Sequence, residues 1–197
     1  TSATVTVTDD EESNINFAIN KRPTSDNSTV ASQLNPGGTT SVTVAATNFG
    51  GDDENSGTVT SIRITSFPTN TTSITINGTT YTSGTFPGGG VTIPTNASGE
   101  PTQAISIDPV DGSKSSVISY ATIDNAGLED LSPATVTVPF HLQISGNVFN
   151  DENGLIGTPT NTVDGSGIDD PDGTALYAHL VDGSDNVLAV TAIGTDG

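Results

Sequence analysis

The sequence predicts an all-β protein built from tandem β-sandwich domains. Valine and isoleucine alternate with threonine and serine in short runs such as residues 3–8 and 59–64, and this period of two is typical of half-buried strands. Turn signals separate the runs, and Asn77-Gly78 has the composition of a two-residue hairpin turn. No window of a dozen residues carries apolar side chains at helical spacing, so a helical turn is expected at most near 125–131. A length of 197 residues fits two small sandwiches.

The alternating runs are each predicted to form one strand, in chain order. Asp111-Gly112 and Asp182-Gly183 provide turns between consecutive runs late in the chain. Short strands at frequent turn signals are the pattern of a sandwich. The predicted strands are residues 3–8, 15–19, 41–44, 59–64, 73–76, 79–81, 104–107, 117–121, 134–138, 142–145, 176–180 and 187–190.

The charge of the chain restricts its partners. With 23 acidic residues against four basic ones, the formal net charge is -19. Nucleic acids and anionic membranes are therefore not expected as partners, because Lys and Arg supply the affinity for both. No apolar run is long enough to cross a bilayer, so no membrane insertion is expected. Cations are the expected partners, and the alternative is that the acids only keep a crowded polymer in solution.

The residues needed for catalysis are scarce, so the chain is not expected to be an enzyme. His141 lies at a predicted domain joint and His179 inside an alternating strand, and neither belongs to a nucleophile motif. Paired carboxylates of a glycosidase would need a cleft lined with aromatic side chains, but the chain has no Trp and three Tyr. Cysteine is absent, which leaves no thiol or disulfide chemistry.

The run from Ile144 to Leu155, ISGNVFNDENGL, resembles the opening of calcium-binding B-type repeats of bacterial surface proteins, namely serine-aspartate-repeat B domains and collagen-adhesin B-type domains. Calcium takes six to eight hard oxygens. Side chains at alternate positions of this acidic loop, with one carbonyl, would supply part of that set, and later acids would close it. The expected ligands are Asn150, Asp151, Asn153, the Leu155 carbonyl, Asp164 and Asp169, with Asp170 or Asp172 as alternatives to Asp169.

The loop also departs from the pattern that it resembles. A second carboxylate commonly follows the Asn-Gly pair within a few residues in such repeats, but residues 155–159 contain none. The alternative to a calcium site is therefore a polar turn with solvated acids. Secondary cation candidates are Asp52-Asp53-Glu54, residues 9–12 and Asp124, since cadherin-like modules can hold calcium where domains join. Charge runs of this kind are also common on solvated faces.

Residues 24–140 resemble the cadherin-like tandem repeats of very large surface proteins from Bacteroidetes-type bacteria. The resemblance lies in TSIRITSFP at 60–68, ITINGT at 74–79, and ATIDNAG at 121–127 followed by SPATVTV at 132–138. It implies an immunoglobulin-like sandwich and an extracellular or cell-surface location. A near absence of linker at 139–142 indicates a stiff joint to the next domain.

Residues 1–22 resemble the final strands of a B-type domain, through VTVTDD at 5–10 and SNINFAINKRP at 13–23. The predicted organisation is therefore 1–22 as terminal strands, 23–140 as a complete sandwich and 141–197 as an incomplete B-type sandwich. Either the chain is a window of a long tandem array, or the N-terminal strands of one subunit complete the C-terminal domain of the next.

These patterns lead to one principal expectation about function. The chain is expected to be a structural repeat segment of an extracellular adhesin or fibre, a stiff stalk supported by calcium, whose partners are neighbouring repeats or identical subunits. The first alternative is a filament subunit joined head to tail by strand complementation. The second is a carbohydrate- or receptor-binding module that reads surface glycans with the loop at residues 82–90.

Overall fold

The computed structural model describes residues 19–54, 57–144, 177–181, 183–184 and 186–193. The chain divides into two compact units, Thr1–Leu142 and Gln143–Gly197. The described strands are β1 Thr24–Ser25, β2 Ser28–Thr29, β3 Gln33–Leu34, β4 Val42–Val44, β5 Gly51–Asp52, β6 Val59–Ile64, β7 Thr71–Ile76, β8 Thr79–Tyr81, β9 Val91–Pro94, β10 Ile105–Pro109, β11 Ser116–Asp124, β12 Ala134–Val138, β13 Phe140–His141, β14 Tyr177–Val181 and β15 Val187–Ala192.

The first unit is an all-β sandwich of two sheets, which confirms the predicted fold class. One sheet has the order β4-β10-β7-β8 and the other β2-β12-β11-β6-β9, and two separate two-stranded pairs, β1-β5 and β3-β13, belong to the same unit. Neighbours within both sheets are antiparallel except for β2 beside β12. The tandem, immunoglobulin-like arrangement of several such domains stays a prediction.

The core is formed by the apolar faces of the two sheets. β12 shows the simplest pattern, because Ala134, Val136 and Val138 are buried and alternate with half-buried threonines. Isoleucines dominate the remaining buried positions, and their branched side chains suit a pleated surface. The largest fully buried side chains include Ile62, Ile64, Ile74, Ile93, Ile105, Ile107 and Ile118, together with Tyr120 and Phe49.

Two strands break the alternation at the same relative position. In β6 the buried residues are Val59, Ile62 and Ile64, so the first interval is three residues instead of two. The pairing of β6 with β11 shifts register where Ile123 is followed by Asp124. The extra residue lies on β6 and forms a β-bulge. The bulge explains the three-residue interval, because it places Val59 on the same face as Ile62. β7 repeats this pattern opposite Asp108/Pro109 of β10.

Two early strands of the sandwich, β2 and β3, run parallel to its last two strands, β12 and β13. Ser28 pairs with Val136 in β2-β12, and Gln33 pairs with Phe140 in β3-β13. Three further backbone hydrogen bonds join the same segments, from the N–H groups of residues 30, 33 and 35 to the carbonyls of 137, 139 and 141 at 2.9, 3.0 and 2.8 Å. Because the segments share one direction, the polypeptide enters the sandwich at one end and leaves it at the other. We call these ends the N-terminal and C-terminal poles.

Tyr120 connects the central strand β11 to the start of the sandwich. Its ring is buried and packs edge-on against Phe49, with ring centroids 5.2 Å apart. Its hydroxyl accepts a hydrogen bond from the Gly50 N–H at 2.9 Å and lies within donating distance of the Asp26 carbonyl at 2.6 Å and the Gly50 carbonyl at 2.7 Å. Burial raises the pKa of Tyr120, so the hydroxyl stays protonated and available as a donor.

Several local predictions are corrected by the structure. Residues 125–131 form turns and not a helical turn, because the Asp124 carboxylate accepts the Ala126 and Leu128 N–H groups and Gly127 takes a positive φ. A short 3-10 helix occurs instead at Ala46–Asn48.

The strand predicted at 142–145 is not found in its described part, residues 142–144. The chain after β3, the partner of β13, turns away at Asn35, whose side chain accepts a hydrogen bond from the Gly37 N–H. Residues 1–18 and 145–176 lie outside the described residues, so the strands and domain boundaries predicted there stay predictions.

The described part of the second unit is an antiparallel hairpin, β14 with β15. Both strands were expected from their alternation, and both are present. Their large apolar side chains are exposed: Tyr177, Leu180, Val181, Val187, Leu188 and Val190. A hairpin of two strands is only marginally stable by itself, so these side chains require further packing. No helix within the described ranges is long and apolar enough to cross a membrane.

We expect Tyr120→Phe to destabilise the first unit by about 1–3 kcal/mol, because the buried Gly50 N–H and the Asp26 carbonyl lose their partner. Urea denaturation followed by the fluorescence of the remaining tyrosines measures this change. Tyr81→Phe is the matched control, since Tyr81 is half-buried and packs through its ring against Phe86. The control should change the free energy of unfolding by less than about 0.5 kcal/mol. Equal effects of the two substitutions would contradict the role of the Tyr120 hydroxyl.

Candidate functional site: the acidic N-terminal pole

The N-terminal pole gathers basic and acidic side chains that are far apart in the sequence. Asn20 donates to the Asp124 carboxylate at 2.7 Å, and Lys21 forms an ion pair with Glu54. Arg22 donates to the Glu129 carbonyl at 2.6 Å. These three consecutive residues therefore fix the incoming chain against the sandwich. No local pattern predicts these contacts; the one available signal is that the chain has only four basic residues, two of which are Lys21 and Arg22.

Arg63 adds a second basic residue at Glu129. Its guanidinium donates to one Glu129 carboxylate oxygen at 3.0 and 2.5 Å and to the Gly89 carbonyl at 2.7 Å. Both side chains of the ion pair are about 30% exposed, with 31% for Arg63 and 27% for Glu129. Three of the four basic residues of the chain, Lys21, Arg22 and Arg63, thus bind at this pole.

Asp124 is the most completely satisfied acid of the pole. It is 1% exposed, and one carboxylate oxygen accepts the Ala126 and Leu128 N–H groups at 2.8 and 2.7 Å while the other accepts Asn20. Burial opposes ionisation of this carboxyl, but the hydrogen bonds from Leu128, Asn20 and Ala126 outweigh burial and hold its pKa below the ordinary value. Asp124 is therefore an ionised group that organises a turn and anchors the incoming chain.

Asp53 differs sharply from Asp124. It is 7% exposed, and neither carboxylate oxygen has a hydrogen-bond partner. It borders an open pocket of ≈ 160 Å³ between the loops that precede β6 and β10. Glu54, by contrast, is exposed, and its hydrogen bond and charge interaction with Lys21 lower its pKa. The acidic run 52–54 thus contains side chains in very different environments.

The predicted secondary cation candidates are partly brought together. Asp52, Asp53 and Glu54 lie at the same pole as Asp124, since Val59 pairs with Asp124 across β6 and β11. Within the described ranges, however, no three acidic or histidine side chains are grouped as metal ligands. Residues 9–12 lie outside those ranges, as do the principal predicted calcium ligands Asn150, Asp151, Asn153, Leu155, Asp164 and Asp169. The calcium loop stays a prediction.

The two histidines lie at exposed positions. The His141 ring nitrogen Nδ1 is 3.1 Å from the Ser32 hydroxyl at the C-terminal pole, and no described carboxylate is hydrogen-bonded to this ring. His179 lies on β14 and is exposed. The loop at residues 82–90, expected to read glycans in one alternative, is anchored by Phe86, which packs edge-on against Phe67 and Tyr81 at 6.0 and 5.8 Å.

Comparisons with known proteins provide no family assignment: no family model matches the sequence, and neither the curated proteins nor the solved structures contain a significant match.

We expect Asp124→Asn to destabilise the first unit by about 1–2 kcal/mol at pH 7, because a charged acceptor of three hydrogen bonds is lost. The folded pKa of Asp124 lies below its unfolded value, near 3.8. Its contribution is therefore complete above that value and disappears as the pH falls through the folded pKa. The difference between wild type and variant in urea denaturation should shrink towards pH 2.

Asp52→Asn is the matched control for this experiment, because it removes one charge from an exposed side chain at the same pole. Its effect at pH 7 should stay within about 0.5 kcal/mol. If the Asp124→Asn difference stayed constant from pH 7 to strongly acidic solution, ionisation of Asp124 would not be the source of its contribution.

Proposed function

We propose that the chain is a structural repeat segment of an extracellular bacterial adhesin or fibre, where it acts as a stiff stalk supported by calcium. The observation that carries this proposal is the parallel pairing of the early strands β2 and β3 with the last strands β12 and β13. A module whose chain enters at one pole and leaves at the other transmits tension along its own length. Residues 134–141 alone span about 25 Å between the poles at the usual rise of a strand.

Tension between the two poles would pass through the segments 28–35 and 134–141, which we call the load path. The hydrogen bonds along this path favour a mechanical role. Tension applied at the poles pulls the segment 28–35 and the segment 134–141 in opposite directions along their shared axis. The backbone hydrogen bonds of residues 30, 33 and 35 lie across that axis, so they resist together and do not open one by one. At the N-terminal pole, Asn20, Lys21 and Arg22 add side-chain contacts before the first strand begins.

The charge of the chain agrees with an extracellular polymer. A net charge of -19 keeps neighbouring chains apart in solution and attracts cations. The predicted oxygen-rich loop at Asn150–Asp169 would supply one cation site, and it supports the calcium part of the proposal. Activity as a catalyst is not part of the proposed function, and no nucleic acid is proposed as a partner.

A force experiment on the full chain, held at its two termini, tests the load path. We expect one discrete unfolding event that lengthens the chain by about 40 nm, the extended length of a sandwich of some 120 residues. Gln33→Pro should lower the force of that event, because proline removes the N–H donor to the Pro139 carbonyl. Gln33→Ala is the matched control, since it loses the side chain and keeps the donor. Equal forces for both variants would refute the proposed load path.

The exposed hairpin of the second unit favours one further candidate, a filament subunit completed by strand complementation. β14 and β15 expose six large apolar side chains, and a third strand would cover part of them. Residues 3–8 alternate apolar and polar side chains, as such a donated strand requires. In this candidate the donor belongs to a second copy of the chain.

Deletion of residues 1–22 distinguishes this candidate from the stalk proposal. If a second copy donates the strand, the full chain should form head-to-tail oligomers at high concentration and the deleted chain should remain monomeric. Light scattering after size-exclusion chromatography measures the mass of each. A monodisperse full-length monomer, unchanged by the deletion, would reject strand complementation and would leave the stalk proposal intact.

A further inference from the structure

Asp53 is buried in a way that an isolated carboxylate does not tolerate. Both of its oxygens have lost their contact with solvent, and neither has a hydrogen-bond partner. A buried ionised carboxylate is strongly disfavoured unless a countercharge or several donors compensate for the lost water. The basic residues at this pole are bound to Glu54 and Glu129, and not to Asp53. The compensating group is therefore missing from the described part of the chain.

The backbone around Asp53 is shaped to hold its carboxylate in place. Gly57 lies directly against it, and a Cβ at position 57 would collide with both carboxylate oxygens. Only glycine permits this approach, so the position of the Asp53 carboxylate depends on the absence of a side chain at Gly57. Across the pocket, Gly99 has a positive φ of 77° and closes the turn that follows Asn96. Glycines thus lie on both sides of the pocket, and the one at position 57 is in close contact with the Asp53 carboxylate.

The groups that line the pocket beside Asp53 are acceptors of the kind that hard cations prefer. Thr58 and Ser98, whose side chains carry hydroxyls, are among the lining residues, and so is Gly51, whose carbonyl lies 3.9 Å from the position of a Cβ at Gly99. A carboxylate, hydroxyls, a carbonyl and water together form an oxygen-only set. Calcium accepts six to eight such oxygens in irregular geometry, whereas magnesium demands a near-ideal octahedron and retains its water.

We propose that Asp53 anchors a calcium site in this pocket, with Thr58, Ser98 and the Gly51 carbonyl as further oxygens and water completing the shell. The site lies within the first unit and is separate from the predicted loop at Asn150–Asp169. A bound ion would connect the segment before β6 to the turn before β10 and would neutralise the buried charge. This inference does not depend on the proposed function, because it rests on the environment of one carboxylate.

Thermal unfolding of the full chain tests the site, because the difference in Tm between the wild type and Asp53→Asn should change sign when calcium is added. In chelator, Asp53→Asn should be more stable than the wild type, because the uncompensated buried charge is gone. In millimolar calcium the order should reverse, since only the wild type gains stability from the ion, with a rise in Tm of about 5 °C. Glu100→Gln is the matched control, because it removes one charge from the neighbouring turn, and it should retain the response of the wild type.

Equilibrium dialysis then counts the bound ions. Asp53→Asn should bind one calcium ion fewer than the wild type and Glu100→Gln, whether or not the loop at Asn150–Asp169 is occupied. If Asp53→Asn bound as many ions as the wild type and gained the same Tm from calcium, the proposal would be wrong.

A measurement on the wild type alone keeps the test valid should a variant fold poorly. Calcium titration followed by amide NMR should shift the resonances of Gly51, Asp53, Thr58, Ser98 and Gly99 together, with one dissociation constant. Unchanged amide resonances at these positions in saturating calcium would overturn the site, even if resonances elsewhere in the chain moved.

Discussion

The sandwich depends on one long-range pairing, in which β2 and β3 run parallel to β12 and β13. This pairing joins residues about a hundred positions apart, so its closure costs chain entropy that the two sheets must repay through burial. It places β12 between β2 and β11 and thereby seals one side of the core. The Tyr120 hydroxyl reinforces the same closure, because it binds the backbone at Asp26 and Gly50 from the central strand. A sandwich closed so late in the sequence is expected to fold slowly.

The N-terminal pole shows how differently one fold treats its acids. Asp124 accepts three hydrogen bonds and is stabilised as an anion, while Asp53 is also buried and accepts none. Glu54 and Glu129 are satisfied by the scarce basic residues. The difference follows from backbone direction: the turn after Asp124 points N–H groups at its carboxylate, whereas Gly57 presents a bare Cα to that of Asp53. A bound cation would balance the charge of Asp53, and the negative charge of the chain raises the local cation concentration.

Sequence patterns predicted the long strands well, because in these strands the alternation of apolar and polar residues matches the alternation of buried and exposed positions. β6, β7 and β12 lie where alternation placed them, and even the bulges are encoded, since Val59-Thr-Ser-Ile62 and Thr71-Thr-Ser-Ile74 share a three-residue interval. The two-residue strands β1, β2, β3, β5 and β13 were missed, as a period cannot be read from two residues. The four-residue strand β9 was missed as well. The acids at 52–54 and Asp124 were predicted only as secondary cation candidates. Their opposite environments depend on tertiary contacts across the sheets, which a local pattern does not contain.

The distribution of basic residues also determines where trypsin-like proteases can cleave the chain. Enzymes that cut after lysine or arginine find four such residues in 197. Lys21 and Arg63 are held in ion pairs, and Arg22 precedes Pro23, a bond that trypsin-like enzymes cleave poorly. Lys114 lies exposed in the turn between β10 and β11, whose neighbouring backbone belongs to two long strands. A digest of the folded sandwich with such an enzyme therefore yields few fragments, because the composition of the chain leaves two exposed lysines, Lys21 and Lys114.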